Sequence, residues 1–389
     1  MSLTMHDAAF WLALASFLIV GGICLEVALG WRKIAQLRDM PPARDDEALP
    51  TVSVIVSALN EAGTIEPAMR SLLRIDYPRL EIIAIDDRST DATGAVLDRI
   101  AAEDARLTVL HLESLPAGWL GKNHALQRGA QMARGDYLLF TDADAVFAPS
   151  ALRRAVAYCE HRRVDHLTLF FDVIARPPLL RVMILSFATA FMSRFKPWKV
   201  ADSPKRYVGV GGFNLVRRHA YFDIGGHAAM PLAVLDDMML GKRIKAHGFR
   251  QHALFGGDMV AIEWYPTTRD MMRGMEKNIF SAFDYQLLQL IAVSVLMLAL
   301  RVWPWIGMFA TEGAARWLNI ATVLAGMLLY ADLLHARGWP WRCLLYAPLV
   351  SLVELLIWWR GSLLALARNG IDWRGTRYPL QELKRAHER

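Results

Sequence analysis

The sequence predicts an α/β domain built on a mainly parallel sheet, with membrane helices before and after it. Three observations lead there. Short β-branched or apolar runs alternate with helical patterns from residue 51 to about residue 141. Three loop starts that follow such runs are polar or acidic: Asn60 and Glu61, Asp86 and Asp87, Asp142 and Asp144. Long apolar segments lie at residues 8–30 and again between about 287 and 366.

At 389 residues the chain has room for two or three domains, and 54% hydrophobic residues is more than an average soluble protein carries. Cys24, Cys159 and Cys343 have no metal-ligand spacing and two lie in apolar segments. Neither a disulfide framework nor a zinc site is expected, and a reducing compartment fits. The formal charge is +6. Its Lys and Arg residues gather beside the apolar segments, as they do near anionic lipid headgroups, so a bilayer is the expected partner and nucleic acid is not.

From Ala8 to Gly30 the chain is uncharged except at Glu26. At about 1.5 Å per residue this crosses a hydrocarbon core of roughly 30 Å. The stretch lacks a basic leading region and is too long for a cleavable signal, so it reads as a retained anchor. Arg32, Lys33, Arg38 and Arg44 follow it. By the positive-inside rule the next domain faces the cytoplasm, which places the protein in the cytoplasmic membrane. Pro41, Pro42 and Pro50 bracket a short polar linker. The expected divisions are 1–50 for anchor and linker, 51–285 for a cytoplasmic α/β domain, and 286–389 for C-terminal membrane helices and a basic cytoplasmic tail.

Within the middle division, residues 51–57 form the first expected strand, and a helix follows from Thr64 with Ala68, Leu72 and Leu73 on one face. Leu80–Ile85 is the second strand, and Val96, Leu97 and Ile100 mark the helix after it. Leu107–Leu112 and Tyr137–Thr141 are the third and fourth, separated by a helix from about Asn123 to Ala133. This alternation implies right-handed crossovers and a parallel sheet, in which ligands bind beyond the carboxyl ends of the strands. The dinucleotide glycine fingerprint is absent after the first strand, which argues against hydride transfer. A buried run that ends in Asp142-Ala143-Asp144 costs stability unless a cation sits between the carboxylates. A divalent metal carrying a diphosphate is the cation expected; an acidic loop that merely caps the next helix is the plain alternative.

Several segments carry a resemblance. VSVIVSALNE at 52–61, IDDRSTD at 85–91, GKNHAL at 121–126 and ARGDYLLFTDADAVF at 133–147 resemble, in this order and spacing, inverting family-2 glycosyltransferases with a GT-A fold. That likeness implies a Rossmann-like GT-A domain and a nucleotide-sugar donor, UDP-linked, whose diphosphate is neutralised by Mg²⁺ or Mn²⁺. It assigns Asp144 to the metal and Asp142 to the metal or the donor's ribose. It places Asp87, with Asp86 as the second candidate, near the nucleobase, and puts Ala58 and Glu61 in the same pocket. Lys122 becomes a phosphate-facing cation, where an ordinary exposed lysine is the alternative. Asp91 reads as a cap of the following helix.

Val208–Val216 reads as a strand interrupted by glycines, where a ligand can approach the backbone. Asp236-Asp237 resembles the family's acidic motif at a helix start, which implies Asp237 as general base with Asp236 beside it; simple N-capping is the alternative. Residues 271–278 stand where processive members carry Gln-x-x-Arg-Trp, and that pattern is missing. Glu276-Lys277-Asn278 and the ending Gly370-Ile371-Asp372-Trp373-Arg374-Gly375-Thr376-Arg377-Tyr378 resemble instead the membrane transferases that glycosylate carotenoid or hopanoid-type lipids. Lys277 is then a diphosphate ligand or a membrane-surface cation. The resemblance implies transfer of one sugar to a lipid hydroxyl; a processive polysaccharide synthase and a catalytically silent membrane scaffold remain as alternatives.

Between Leu179 and Trp198 apolar residues recur three or four apart and are framed by Arg176, Arg181, Arg194, Lys196 and Lys199. Such a helix lies in the headgroup layer and holds a lipid acceptor, or packs in a core. Apolar segments at 287–309, 315–334 and 344–366 complete the chain. Three full crossings would leave the basic tail outside, against the charge rule, so 287–309 is expected to be re-entrant or interfacial.

Overall fold

The structure is a computed structural model that describes residues 5–43, 49–373 and 375–387. By contacts the chain falls into two compact units. One comprises Met1–Lys33, Ala175–Lys196 and Tyr265–Asp372; the other comprises Ile34–Ile174, Pro197–Trp264 and Trp373–Arg389. The units are interleaved in sequence: Ala175–Lys196 and Tyr265–Asp372 group with the N-terminal helix, and Trp373–Arg389 with the sheet.

Helix α1 (Met5–Trp31) comes first, and the sheet unit then runs β1 (Val52–Ala58), α2 (Ile65–Leu73), β2 (Leu80–Asp87), α3 (Thr93–Glu103), β3 (Leu107–Leu112), α4 (Gly121–Met132) and β4 (Tyr137–Asp142). It goes on through β5 (Val146–Phe147), α5 (Ala151–Arg162) and β6 (His166–Val173). The chain then leaves it for α6 (Pro178–Phe195) and returns with β7 (Asn214–Arg217), α7 (Arg218–Asp223), α8 (Asp236–Ala246) and β8 (Gln251–Ile262). The eight strands lie in the order β3-β2-β1-β4-β7-β6-β8-β5. Strand β1 pairs in parallel with β2 and β4, β2 with β3, and β6 with β8; β7 is antiparallel to both β4 and β6, and β5 is antiparallel to β8. The first four strands are the expected ones within a residue or two.

Period-two alternation sorts each strand's residues between two covered faces. Val54 and Val56 of β1 join Ile82 and Ala84 of β2 against Ile65, Met69 and Leu72 of α2, Leu97 and Ile100 of α3, and Leu152 and Val156 of α5. Ile55, Ile83, Ile85, Leu138 and Phe140 face the other way, onto Ala125, Leu126 and Ala130 of α4 and Leu240 and Ile244 of α8. Helix α4 comes so close that a Cβ on Gly129 would lie 2.6 Å from Ile55 Cγ2 and 2.7 Å from Ile85 Cδ1.

One strand expectation fails. Val208–Val216 is not a single glycine-interrupted strand, because only Asn214–Arg217 pairs in the sheet. Residues 208–213 are held instead by side chains: Gln251 bonds both the N–H and the carbonyl of Val208 (3.0 and 2.8 Å), and the Asn214 amide donates to the Val210 carbonyl (2.9 Å). Buried His166 links the two, 2.6 Å from Gln251 and 3.1 Å from Asn214. Burial pushes its pKa down to about 4, so it serves as a neutral bridge.

The other unit is helical: α1, α6, α9 (Thr268–Ala282), α10 (Leu287–Met297), α11 (Trp303–Ala310), α12 (Gly313–Ala336) and α13 (Ala347–Ala367). A π turn, Leu298–Val302, joins α10 to α11. Five of the described helical stretches are long and apolar enough to cross a membrane: Asp7–Trp31, Pro178–Lys199, Leu287–Ala310, Gly313–Ala336 and Trp341–Ala367. Several charges among them are paired. Arg301, in the π turn, reaches Glu354 (3.0 Å), Ser186 (2.7 Å) and Tyr330 (2.9 Å), and Lys196 meets Glu26 at 2.6 Å. Last come two short strands, β9 (Gly370–Trp373) and β10 (Thr376–Pro379), and helix α14 (Leu380–His387).

Candidate active site

The polar residues converge at the carboxyl ends of β1, β2 and β4, as a parallel sheet dictates. Ala58, the last residue of β1, is fully buried and contributes backbone. The loop after it is tied to the loop after β2. Asn60, at φ 56, accepts the N–H groups of Thr90 (2.8 Å) and Asp91 (3.3 Å), and the Glu61 N–H donates to Thr93 Oγ1 (2.8 Å). Asp91 is not the N-cap of α3, which is Ala92, but from one residue earlier it accepts the N–H of Thr93 at 2.9 Å and its hydroxyl at 2.6 Å.

Asp86 and Asp87 are buried and already engaged. Asp86 accepts the Ser89 N–H (3.2 Å) and lies 3.0 Å from His111 Nδ1. Asp87 is 1% exposed and makes a two-pronged pair with Arg88 (2.7 and 2.9 Å). The pair presses on the start of α4: a Cβ on Gly121 would run into Asp87 Oδ2 and lie 2.8 Å from Arg88 Nη2. Arg88, at φ 64, had no signal beyond its place after the two acids.

The centre of the site is Lys122. Its ammonium lies 2.9 Å from Asp142 and 3.5 Å from Asp236. Burial works against its charge, yet Asp142, Asp236 and Asp237 together hold its pKa above the ordinary lysine value. Burial, reinforced by the neighbouring Asp142 and Glu61 carboxylates, pushes Asp144 up to about 7. Burial, then the adjacent Asp236, does the same to Asp237, also to about 7. Asp236 is buried and turned toward Lys122, whereas Asp237 is half-buried and accepts the N–H of Met238 at 2.7 Å.

Two devices bring β4 and α8 to the same place. The first is the 208–213 segment, whose glycines let backbone slide between the acids: a Cβ on Gly211 would lie 2.7 Å from Asp142 Oδ2, and one on Gly209 would collide with the Asp237 carbonyl oxygen. The second is Asn123, whose amide donates to the carbonyls of Met230, Pro231 and Ala233 (3.0–3.1 Å), binding α4 to the loop that leads into α8. Neither role shows in the sequence, since each depends on residues about 30 to 110 positions apart.

Lys122, Asp142, Asp144, Asp236 and Asp237 are thus assembled, with Glu61, Asp86 and Asp87 beside them. Lys277 belongs to α9 of the helical unit, and its side chain lies outside the described residues. Its neighbour Glu276 pairs with Arg360 of α13 at 2.7 Å.

Residues 53–225 match the family model Glycosyl transferase family 2. The chain carries a family 2 glycosyl transferase domain. Over 119 residues the chain is 34% identical to the beta-monoglucosyldiacylglycerol synthase of Nostoc sp., a match covering 30% of this chain and 25% of that protein. Over 193 residues it is 32% identical to glycosyltransferase AglD of Haloferax volcanii, covering 48% of this chain and 27% of that one. The chain therefore spans about a quarter of these relatives' length. Among solved structures, a mannosyltransferase of Pyrobaculum calidifontis in complex with GDP-Man and Mn²⁺ aligns at a TM-score of 0.52 and 22% identity, over 90% of this chain and 99% of that one. The shared fold is the GT-A fold.

The acidic residues of the family 2 domain suit a divalent cation only in part. Among the described residues no group of three or more His, Cys, Asp or Glu could by itself hold a metal ion. Asp142 and Asp144 offer oxygen ligands, and the raised pKa of Asp144 comes first from burial and then from the neighbouring Asp142 and Glu61 carboxylates, whose charge a hard cation would offset. Mg²⁺ is usually held by one or two carboxylates together with substrate phosphates, so the residues fit a cation that is completed by the donor.

The same crowding has a measurable sign. With a folded-state pKa near 7 against an unfolded value near 4, the native domain holds a proton that the unfolded chain has already released. The stability this confers is full below about pH 4 and is lost as pH rises through about 7. Asp144→Asn removes that loss. Its gain in Tm over wild type should be larger at pH 8 than at pH 5 by roughly 5–10 °C, the shift that the ~3 kcal/mol lost between those pH values produces in a domain of this size. Thermal melts without added metal check this, and an equal gain at both pH values contradicts it.

Proposed function

We propose that the chain is a membrane-integrated, metal-dependent inverting glycosyltransferase that moves one sugar from a nucleotide-sugar donor, UDP-linked, to a membrane lipid hydroxyl. The observation that carries this is the Lys122 cluster: one half-buried ammonium among Asp142, Asp236 and Asp237 at the strand ends of a family 2 domain. The lipid acceptor is supported by the five bilayer-length helices and by relatives named for a glucosyldiacylglycerol product.

In this reading Lys122 holds the donor's diphosphate and offsets the charge that grows as the glycosidic bond breaks. A Mg²⁺ or Mn²⁺ ion would be held by Asp144 and Asp142 and would supply Lewis-acid stabilisation of that leaving group. Ala58 and Glu61 line the nucleotide side. Asp87 meets the nucleobase only after Arg88 moves, so the Arg88 turn sets access to it. Lys277 stays a candidate diphosphate ligand through α9. Inversion needs a base opposite the leaving group. Asp237 suits that role better than Asp236 because it is half-buried while Asp236 is spent on Lys122.

For topology, both ends of α6 continue into the sheet unit, so it cannot make a single crossing and is assigned to the interface. Its Phe187, Phe191 and Phe195 rings stack at 6.3 and 4.8 Å, an aromatic surface for a lipid chain. Residues 265–372 likewise leave the sheet unit and return to it, which supports an even number of crossings among the last three apolar segments. We assign 287–309, interrupted by the π turn, Arg301 and Pro304, as the one that does not cross.

Asp237→Asn should lower kcat at least about 1000-fold while leaving donor affinity within about twofold. With Asp237 ionising near 7, log kcat should rise with pH at a slope near one up to that value, then level off. Near-normal turnover of the variant removes Asp237 from the role. The product decides the reaction class. Lipid extracts from cells expressing the wild-type chain should contain a lipid heavier by one hexose, absent with Asp144→Ala, and EDTA should stop its formation in membranes. A ladder of added sugars would instead indicate a processive synthase, and no product with any donor a silent scaffold. A tag placed after Arg389 should be protease-accessible only from the side on which the catalytic domain lies, the cytoplasm. Access from the outer face alone contradicts this.

A further inference from the structure

The tail sits with the sheet unit although residues 265–372 of the helical unit precede it in sequence. Two of its side chains, Leu380 and Leu383, are 5% and 1% exposed, and Tyr378 is 7% exposed. The Tyr378 hydroxyl accepts the N–H of Gly121 at 3.2 Å. That N–H opens α4, where the first four amide groups have no partner within the helix, and no side chain of the preceding residue caps it. Arg88 lies close enough to Tyr378 for the two to interact electrostatically. Gly121 is therefore wedged, with the Asp87–Arg88 pair on one side and Tyr378 on the other, and the next residue is Lys122.

We propose that the C-terminal tail is a working part of the donor pocket, with Tyr378 as a positioning residue that fixes the Gly121–Lys122 turn. Two geometric facts support it. Gly121 has no side chain of its own to pack, so its position is set by what touches it. The Lys122 ammonium keeps 2.9 Å from Asp142 and 3.5 Å from Asp236 at once, and a small rotation at Gly121 would break one contact or both. The role assigned to Tyr378 is exerted through the backbone of α4, by its bond to the Gly121 N–H. The consequence is that diphosphate binding depends on the docking of a segment that follows the membrane helices.

This rests on the donor-pocket reading above, and the test separates the two. The whole chain as wild type, Tyr378→Phe, Lys122→Met and the double variant is purified in detergent, and UDP and GDP binding is measured by equilibrium dialysis. Tyr378→Phe should weaken nucleotide binding about fivefold, as expected for one lost hydrogen bond, with donor KM rising in step and acceptor KM unchanged. In the Lys122→Met background the same change should have no further effect, because Tyr378 acts through Lys122. A wild-type affinity in Tyr378→Phe, or a loss that simply adds to that of Lys122→Met, overturns the proposal. This coupling stays readable if Tyr378→Phe also lowers Tm. Binding of neither nucleotide by the wild-type protein overturns the donor pocket itself, and the tail's role with it.

Discussion

Everything at the strand ends depends on how one half-buried ammonium is shared among acids. Asp142 comes from β4 and Asp236 from α8, about 90 residues apart, and Lys122 from α4 meets both. Without the lysine, three carboxylates would repel one another in a poorly solvated pocket. With it, part of the charge is balanced; burial first, and then the neighbouring carboxylates, still raise the pKa values of Asp144 and Asp237. A pocket left slightly too negative is suited to receive a cation together with a diphosphate.

That balance needs rigid support, and the fold supplies it in ways that are chemically plain. The glycines at 209 and 211 let a coil segment pass against Asp237 and Asp142. The His166–Asn214–Gln251 network holds that coil where a strand ladder is lacking. Asn123 ties the helix that bears Lys122 to the loop that delivers Asp236. Each is a polar group satisfied inside the protein, which makes the arrangement specific because any other would leave donors or acceptors unpaired.

The helical unit obeys a different constraint. Its long helices expose leucines and aromatic residues, among them Leu288, Phe309, Trp317 and Leu328, as a lipid-facing surface would. Charges such as Arg301 and Glu354, or Arg32 and Asp332, find partners within the unit. The interleaving of the two units in sequence has a functional meaning in the proposed reading: a water-soluble donor and a membrane-bound acceptor must be handled by one chain.

The parallel half of the sheet, the order of its acids and the apolar segments were all legible in the sequence, because each is written in a local period or in a motif of neighbouring residues. The candidates Asp142, Asp144, Lys122 and Asp237 stood out in that way. What tertiary structure decided is everything that depends on contacts between distant segments. Residues 208–213 left the sheet because side chains from β7 and β8 satisfy their backbone. Arg88 closed over Asp87, an acid whose sequence position suggested an open ligand. Tyr378 reached Gly121 across 257 positions. A sequence pattern determines which residues are buried and which are polar, since that depends on spacing along one element. Which donor meets which acceptor depends on how elements pack, and that is settled only when the chain has closed on itself.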